Sequence, residues 1–316
     1  MRSYLLRRLA ATALTLVGVS VLVFSMVRLI PGTVVEQLLG QAAIASPEIL
    51  AAFRRYFGLD RPVHVQYLEW LAGVLRGDLG VSWLSGRPVL ALFLERLPVS
   101  AELAVLAVGW SLLLGVVLGT ASAVWRGSAR DGAIRVLATL GLSLPAFWQG
   151  TVLILLFSLY LGWMPSLQWV PFTHSPAANL LIMALPALTL GTATAAMITR
   201  MARSAMLDVL GHDYVRSARA KGLSVRRVTF SHALRNALIP VVTVAGVQFG
   251  YIVGGIVVVE DVFTLPGVGR LLLDAIFQRD YPVVQGVILL LAAAFMALNL
   301  AVDLLYTVLD PRLRRG

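Results

Sequence analysis

Cysteine is absent from the 316 residues. The chain therefore has no disulfide, no thiol nucleophile and no cysteine-based metal site. Lysine is almost absent too. Lys221, the only one, sits in Arg-Ala-Lys-Gly-Leu rather than G-x-x-x-x-G-K-[ST], so there is no phosphate loop with which to bind and split ATP. The four histidines, His64, His174, His212 and His232, all fall outside the long apolar runs. Ser143 in Gly141-Leu142-Ser143-Leu144 thus has no base beside it, and Pro145 occupies the second glycine position of a nucleophile elbow. An intramembrane serine hydrolase is excluded on both counts. Charge is scarce as well, at 13% of residues against about 25% in an ordinary soluble domain.

What the chain has is apolar surface: 59% of its residues are hydrophobic, more than a soluble fold can hide. A soluble enzyme, a secreted disulfide scaffold and a disordered tail are excluded. Six stretches are long enough to cross a hydrocarbon core of about 30 Å: 9–30, 101–124, 134–161, 178–198, 237–259 and 283–308. Pro145 and Pro186 fall inside the third and fourth and are expected to kink them. The net charge of +10 follows the spans rather than a nucleic-acid patch. Seventeen of the 26 Lys and Arg residues lie at the two ends of the chain and in the second-to-third and fourth-to-fifth connections. The opposite connection, 31–99, balances six Arg with six acids. This asymmetry predicts that both termini face the cytoplasm. The first apolar run lacks a small-x-small cleavage site and reads as an uncleaved anchor.

The 31–99 connection is patterned. Ser46-Pro47-Glu48 is a helix start with Gly58 as its stop, Val63, Tyr67, Leu71 and Val74 recur at near-helical spacing up to Gly77, and a short helix is expected over 88–97. It is either a cap over the bundle or a docking surface. In the internal loop, Asp213 is expected to cap a helix over 213–221 that Gly222 ends, and Ser224 to cap a second from Arg226 through Pro240 into the fifth span. Two readings stand: an amphipathic hairpin on anionic headgroups, or a lever gripped by a cytoplasmic partner.

Ionisable residues within spans are few: Arg28, Glu102 and Asp303. All lie toward span ends and suit structural roles, with an Arg28–Glu102 pair geometrically possible. That distribution counts against ion-coupled secondary transport, the alternative function considered. Gly246, Gly250 and Gly254, with Gly255 adjacent, form a smooth stripe on the fifth span for internal packing or for a subunit interface or gate. Gln149, Gln248, Tyr251 and Asn299 are the polar side chains expected to face a pathway.

The run from Asp213-Tyr214-Val215-Arg216-Ser217-Ala218-Arg219-Ala220-Lys221-Gly222 to His232-Ala233-Leu234-Arg235-Asn236 and Pro240 resembles the cytoplasmic coupling loop of binding-protein-dependent ABC importer permeases. Further stretches resemble the dipeptide, oligopeptide and nickel branch of that family, in chain order. They are Pro31-Gly32, Tyr56 to Pro62, Gln66-Tyr67 with Trp70, Arg76-Gly77-Asp78-Leu79-Gly80, Phe263 to Gly269, Arg279-Asp280-Tyr281-Pro282, and Asp303 with Tyr306 before Asp310-Pro311-Arg312. Two positions depart: Arg216-Ser217-Ala218 stands where the general pattern has Glu-Ala-Ala, and Thr33 where the branch often has Asp.

The resemblance implies an all-α, six-span bundle similar to a type I ABC importer permease, both ends inside, in a bacterial inner membrane. It implies an anchor over 1–30, an ordered external region over 31–99, and a five-helix core over 100–316 with its coupling loop at 200–240. The implied partners are a second homologous permease, two ATPase subunits holding ATP and magnesium, an external substrate-binding protein and membrane lipid, with no nucleic acid and no cofactor or metal on this chain. The implied ATPase-coupling residues are Asp213, Tyr214, Ala218, Ala220, Lys221, Gly222, His232, Asn236 and Pro240. Peptides, a nickel chelate or an oligosaccharide remain open as the solute.

Overall fold

A computed structural model describes residues 2–29, 60–163 and 168–309. Among these, the elements are α1 (Arg2–Leu29), α2 (Val63–Leu75), α3 (Val89–Val124), α4 (Ala129–Ser143), α5 (Ala146–Leu161), α6 (Pro176–Leu210), α7 (Asp213–Ala220), α8 (Val225–Arg227), a π-helical segment (Val228–Leu234), α9 (Arg235–Val262), α10 (Val268–Phe277) and α11 (Tyr281–Leu309). Five helical stretches among the described residues are long and apolar enough to cross a membrane, and six if the bent pair α4–α5 counts as one span. The chain is an all-α membrane protein. The expected helix start at Ser46 and its stop at Gly58, the Pro31-Gly32 and Tyr56 matches, and Asp310-Pro311-Arg312 lie outside the described residues.

Two expectations change. The short helix over 88–97 and the second span are one helix, α3, which runs through Pro98 without a break. The third span is not one kinked helix but two, meeting at 112°. Pro145 has no N–H to give and forces Leu144 into extended backbone, φ −86° and ψ 131°. Gln149 then repairs the break: its Nε2 donates to the Leu144 carbonyl at 2.8 Å and the Gly141 carbonyl at 3.4 Å. A side chain read as facing a pathway thus has a local backbone to satisfy. The stretch from Glu260 to Pro282, a connection between the fifth and sixth apolar runs, contains the helix α10.

The chain forms two compact units. The first joins the N-terminal 98 residues with Leu271–Ala301. In it, Ser20, Val23, Phe24 and Val27 form the buried face of α1. Tyr67 and Trp70 of α2 pack on Phe24 with ring centroids at 5.2 and 5.7 Å, and the Tyr67 hydroxyl bonds Ser20 at 2.9 Å. Arg28 donates twice to Gln66 Oε1, at 2.7 and 3.2 Å, and lies over the Phe24 ring. Gln66 is therefore a partner of Arg28 within this unit.

The same unit brings Arg76–Gly80 and Arg279–Pro282 together. Asp280, 3% exposed, accepts from Ser82 Oγ and from the Trp83 amide at 3.2 Å. Trp83 packs edge-on against Tyr281, and Gly80 lies under Pro282. One motif thus nails the other's turn in place. Asp280→Ala removes the acceptor of the buried Ser82 hydroxyl and of the part-buried Trp83 amide, at about 1–3 kcal/mol for a buried donor left orphaned. The expected result is a purified protein melting several degrees lower in a detergent thermal-shift assay; an unchanged Tm would count against this reading.

The second unit spans Val99–Arg270 with Val302–Leu309. Its core runs along α3, α6 and α9 through Leu103, Ala107, Met183, Leu190, Ile252 and Val259. Close approach rests on glycines the sequence reading did not single out. A Cβ on Gly115 would fall 2.5 Å from Ile198, and one on Gly119 would fall 2.6 Å from both Ala202 Cβ and the Thr199 carbonyl. Gly115-x-x-x-Gly119 is therefore the small-residue seam between α3 and α6. On the fifth span, a Cβ on Gly255 would fall 2.9 Å from Leu190, while one on Gly254 would meet no described atom within 4 Å.

Candidate functional site

The internal loop folds as the helical hairpin its sequence predicts, with adjusted caps. Asp213 does not cap: His212 is the N-cap, and Asp213 stands in the first turn, where its charge complements the helix dipole. Helix α7 ends in a Schellman arrangement. Gly222 takes φ +78°, its amide donates to the Arg219 carbonyl at 2.9 Å, and the Leu223 amide reaches the Ala218 carbonyl at 3.4 Å. Ser224 caps the second arm by accepting from the Arg227 amide at 3.4 Å, as its position predicts.

That second arm has no joint. Helix α8, the π-helical segment and α9 follow one another without a gap, so the arm continues into the fifth span. Val215 and Ala218 of α7, Val228 and Ala233 of the second arm, Met206 and Val209 of α6, Ala123 of α3 and Ala237 of α9 form one buried cluster. The hairpin is thereby welded to the ends of three spanning helices.

The residues named by resemblance divide by role. Ala218 is core. Tyr214, His232 and Asn236 brace the two arms: Asn236 Nδ2 donates to the Tyr214 hydroxyl at 2.8 Å and to the His232 carbonyl at 3.1 Å. Gly222 makes the turn. Asp213, Ala220 and Lys221 face outward on the hairpin, and Pro240 is exposed inside α9. Arg216, at the position departing from the general pattern, is exposed and reaches Asp213 at 3.4 Å. Gln248 and Asn299 are half-buried. The side chains of Tyr251, Asp303 and Tyr306 lie outside the described residues.

Beside the hairpin core lies a group that sequence reasoning counted only as topology charge. Asp131, its side chain 2% exposed, accepts from Arg203 Nε at Oδ1 and from Arg203 NH2 at Oδ2, both at 2.9 Å. Ser122 Oγ donates to it at 2.6 Å and the Gly127 amide at 3.1 Å, and Arg203 Nε also reaches Ser122 Oγ at 3.0 Å. These atoms join α3, α4 and α6. The sequence signal was the pair Ser128 and Asp131, a capping box in which Ser128 Oγ accepts from the Asp131 amide.

A second buried carboxylate closes the other end of α9. Glu260, 0% exposed, accepts from Ser100 Oγ and from the Gly269 and Arg270 amides at 2.7 and 3.1 Å, while Ser100 Oγ in turn accepts from the Val268 amide at 2.8 Å. Phe263–Gly269, one of the matched stretches, is the loop that folds over this carboxylate and starts α10.

Residues 113–315 match the family described as binding-protein-dependent transport system inner membrane component, and residues 1–104 match its N-terminal region. The chain belongs to this family. It is a multi-pass inner-membrane permease. The permease is 43% identical over 314 residues, 99% of both chains, to a glutathione transport system permease protein of Salmonella choleraesuis (strain SC-B67). The same identity and coverage hold for a putative peptide transport system permease protein of Brucella abortus (strain 2308). The resemblance read from the motifs is confirmed along the whole length of the permease.

Proposed function

We propose that this permease is the transmembrane subunit of an ATP-driven importer for short peptides or peptide-like thiols. It would work with a second permease, two ATPase subunits and an external binding protein. The observation that carries the reading is the hairpin: an outward-facing Asp213, Ala220 and Lys221 edge on a body that shares one core with α3, α6 and α9. A partner pressing on that edge moves spanning helices directly, because the second arm is the start of α9. ATP-driven closure would bring two such hairpins together and open the pathway outward to the docked binding protein; hydrolysis would reset it. Gly254, open to its surroundings, suits an approach by the second permease. The solute class follows the relatives' names, and their full-length similarity supports it.

The test is a gentle-detergent pull-down of the tagged chain with mass spectrometry of its companions, followed by uptake of reduced glutathione and of di- to pentapeptides into proteoliposomes. Recovery of a P-loop ATPase and a second permease, with uptake requiring ATP and the binding protein, is the expected outcome. A chain that purifies alone and moves solute under an ion gradient would overturn it and direct mutagenesis to Arg28, Glu102 and Asp303.

A further inference from the structure

We propose that the Ser122–Asp131–Arg203 clamp is the positioning element of energy coupling, making the hairpin and the adjoining ends of α3, α4 and α6 one rigid body. The inference rests on the transport reading above and adds to it which contacts carry the hairpin's displacement to the α4–α5 break.

Position comes first. Arg203 lies one helical turn before Met206, and Ser122 lies next to Ala123; Met206 and Ala123 are both members of the hairpin core. The clamp therefore begins where the hairpin core ends. Gly119, one turn earlier on α3, brings its helix close enough to α6 that an added Cβ would sit 3.0 Å from the Arg203 amide. The same backbone approach seats the Ser122 hydroxyl against the guanidinium.

Mechanics come second. Helix α4 meets its neighbours through Asp131, Ile134, Ala138 and Gly141, while Val136, Leu137 and Leu140 are exposed. A Cβ on Gly141 would fall 3.1 Å from Thr192 of α6, so the two helices approach closely there. In a bilayer the tails are as apolar as the helix face, so small apolar contacts give α4 little resistance to sliding along α6. Directional bonds fix that register, and the bidentate Arg203 fork is the most directional of them. Helix α4 ends at the Pro145 break, so its register sets where α5 begins.

Energetics come third. Taking a carboxylate and a guanidinium out of water costs about as much as their attraction returns, and well-packed apolar replacements are often as stable. Global stability is thus a poor reason for such a group here. Fixing one helix relative to two others is a better one.

The absence of cysteine makes the test direct. Nitroxide labels at Ala129→Cys on α4 and Val225→Cys on the hairpin, both exposed sites, report the distance across the clamp in the purified complex. With the clamp intact, one narrow distance is expected, the same with and without a non-hydrolysable ATP analogue. In Asp131→Asn the distribution should broaden or shift, by up to about 5 Å if α4 slips one turn. Solute moved per ATP should fall about tenfold, with the ATPase subunits still copurifying. Arg203→Lys keeps the charge and loses the fork, and should show the same loss in smaller measure.

A distance that changes with nucleotide in the unmutated chain would overturn the rigid-body assignment. So would an Asp131→Asn distance and coupling ratio matching the parent. If Asp131→Asn fails to insert, Ser122→Ala, which removes one bond and keeps the ion pair, is measured the same way and decides by the same criterion. A chain without ATPase companions would sink the transport reading instead, while the label distance in that chain still tests the clamp.

Discussion

Gly267→Ala is expected to abolish accumulation of folded protein. A Cβ there would stand 2.1–2.3 Å from the Glu260 carboxylate atoms. Carboxylates usually swing aside, but this one is fully buried and pinned by Ser100, the Gly269 amide and the Arg270 amide. Displacing it orphans those donors, at about 1–3 kcal/mol each, in a protein whose whole margin is about 5–15 kcal/mol. The neighbouring backbone offers no relief, since a Cβ on Gly269 would already meet Val257 Cα at 2.5 Å. Glu260→Gln keeps shape and loses charge, so it should fall between parent and Gly267→Ala. Detergent-extracted yield and size-exclusion profile measure this; a Gly267→Ala protein recovered at parental yield and melting temperature would show that Glu260 is not the fastener of α10.

The second large effect concerns coupling rather than folding. Gly222→Val should insert and assemble yet lose most binding-protein-stimulated ATPase activity and uptake. No atom lies within 4 Å of a Cβ at Gly222, so packing does not forbid the change; its φ of +78° does. An L-residue in left-handed backbone costs about 1–2 kcal/mol, and a β-branched one sits there worst. The strain falls on the two bonds that close the turn, Gly222 to Arg219 and Leu223 to Ala218. Relaxing it reorients α7 against the second arm and misplaces the Lys221 edge. Gly222→Asn, which tolerates that conformation better, should restore part of the activity. Parental uptake and stimulation in Gly222→Val would sink the lever mechanism.

Sequence patterns located most of this hairpin because its determinants are local. A Gly that ends a helix, a Ser that begins the next and apolar positions three residues apart act within one or two turns, and the structure differs by a residue or so, with His212 rather than Asp213 as the cap. The α2 helix was legible for the same reason. Misreadings arose where a residue's partner is distant in the chain. Asp131 and Arg203 are 72 residues apart, Ser100 and Glu260 160, Ser82 and Asp280 198. Counted along the sequence, these carboxylates are topology charges; folded, each is a buried fastener. At Gln149 a polar group in an apolar run also has a broken backbone to satisfy, which only the 112° turn at Pro145 shows. Spacing likewise says that a helix face is smooth, but not what lies against it: a Cβ on Gly254 would meet no described atom within 4 Å, while Gly115 and Gly119 carry a seam between α3 and α6.

The sequence by itself determined that this protein lives in a membrane, which loop is basic, and the family it belongs to. Hydropathy, charge asymmetry and ordered motifs are properties of short windows and need no fold to be read. Tertiary structure alone decided which charges are structural, which glycines touch another helix, and that the hairpin shares a core with α3, α6 and α9. Those are facts about pairs of residues far apart in the chain, and burial turns each pair from a weak surface interaction into a constraint on how the helices move.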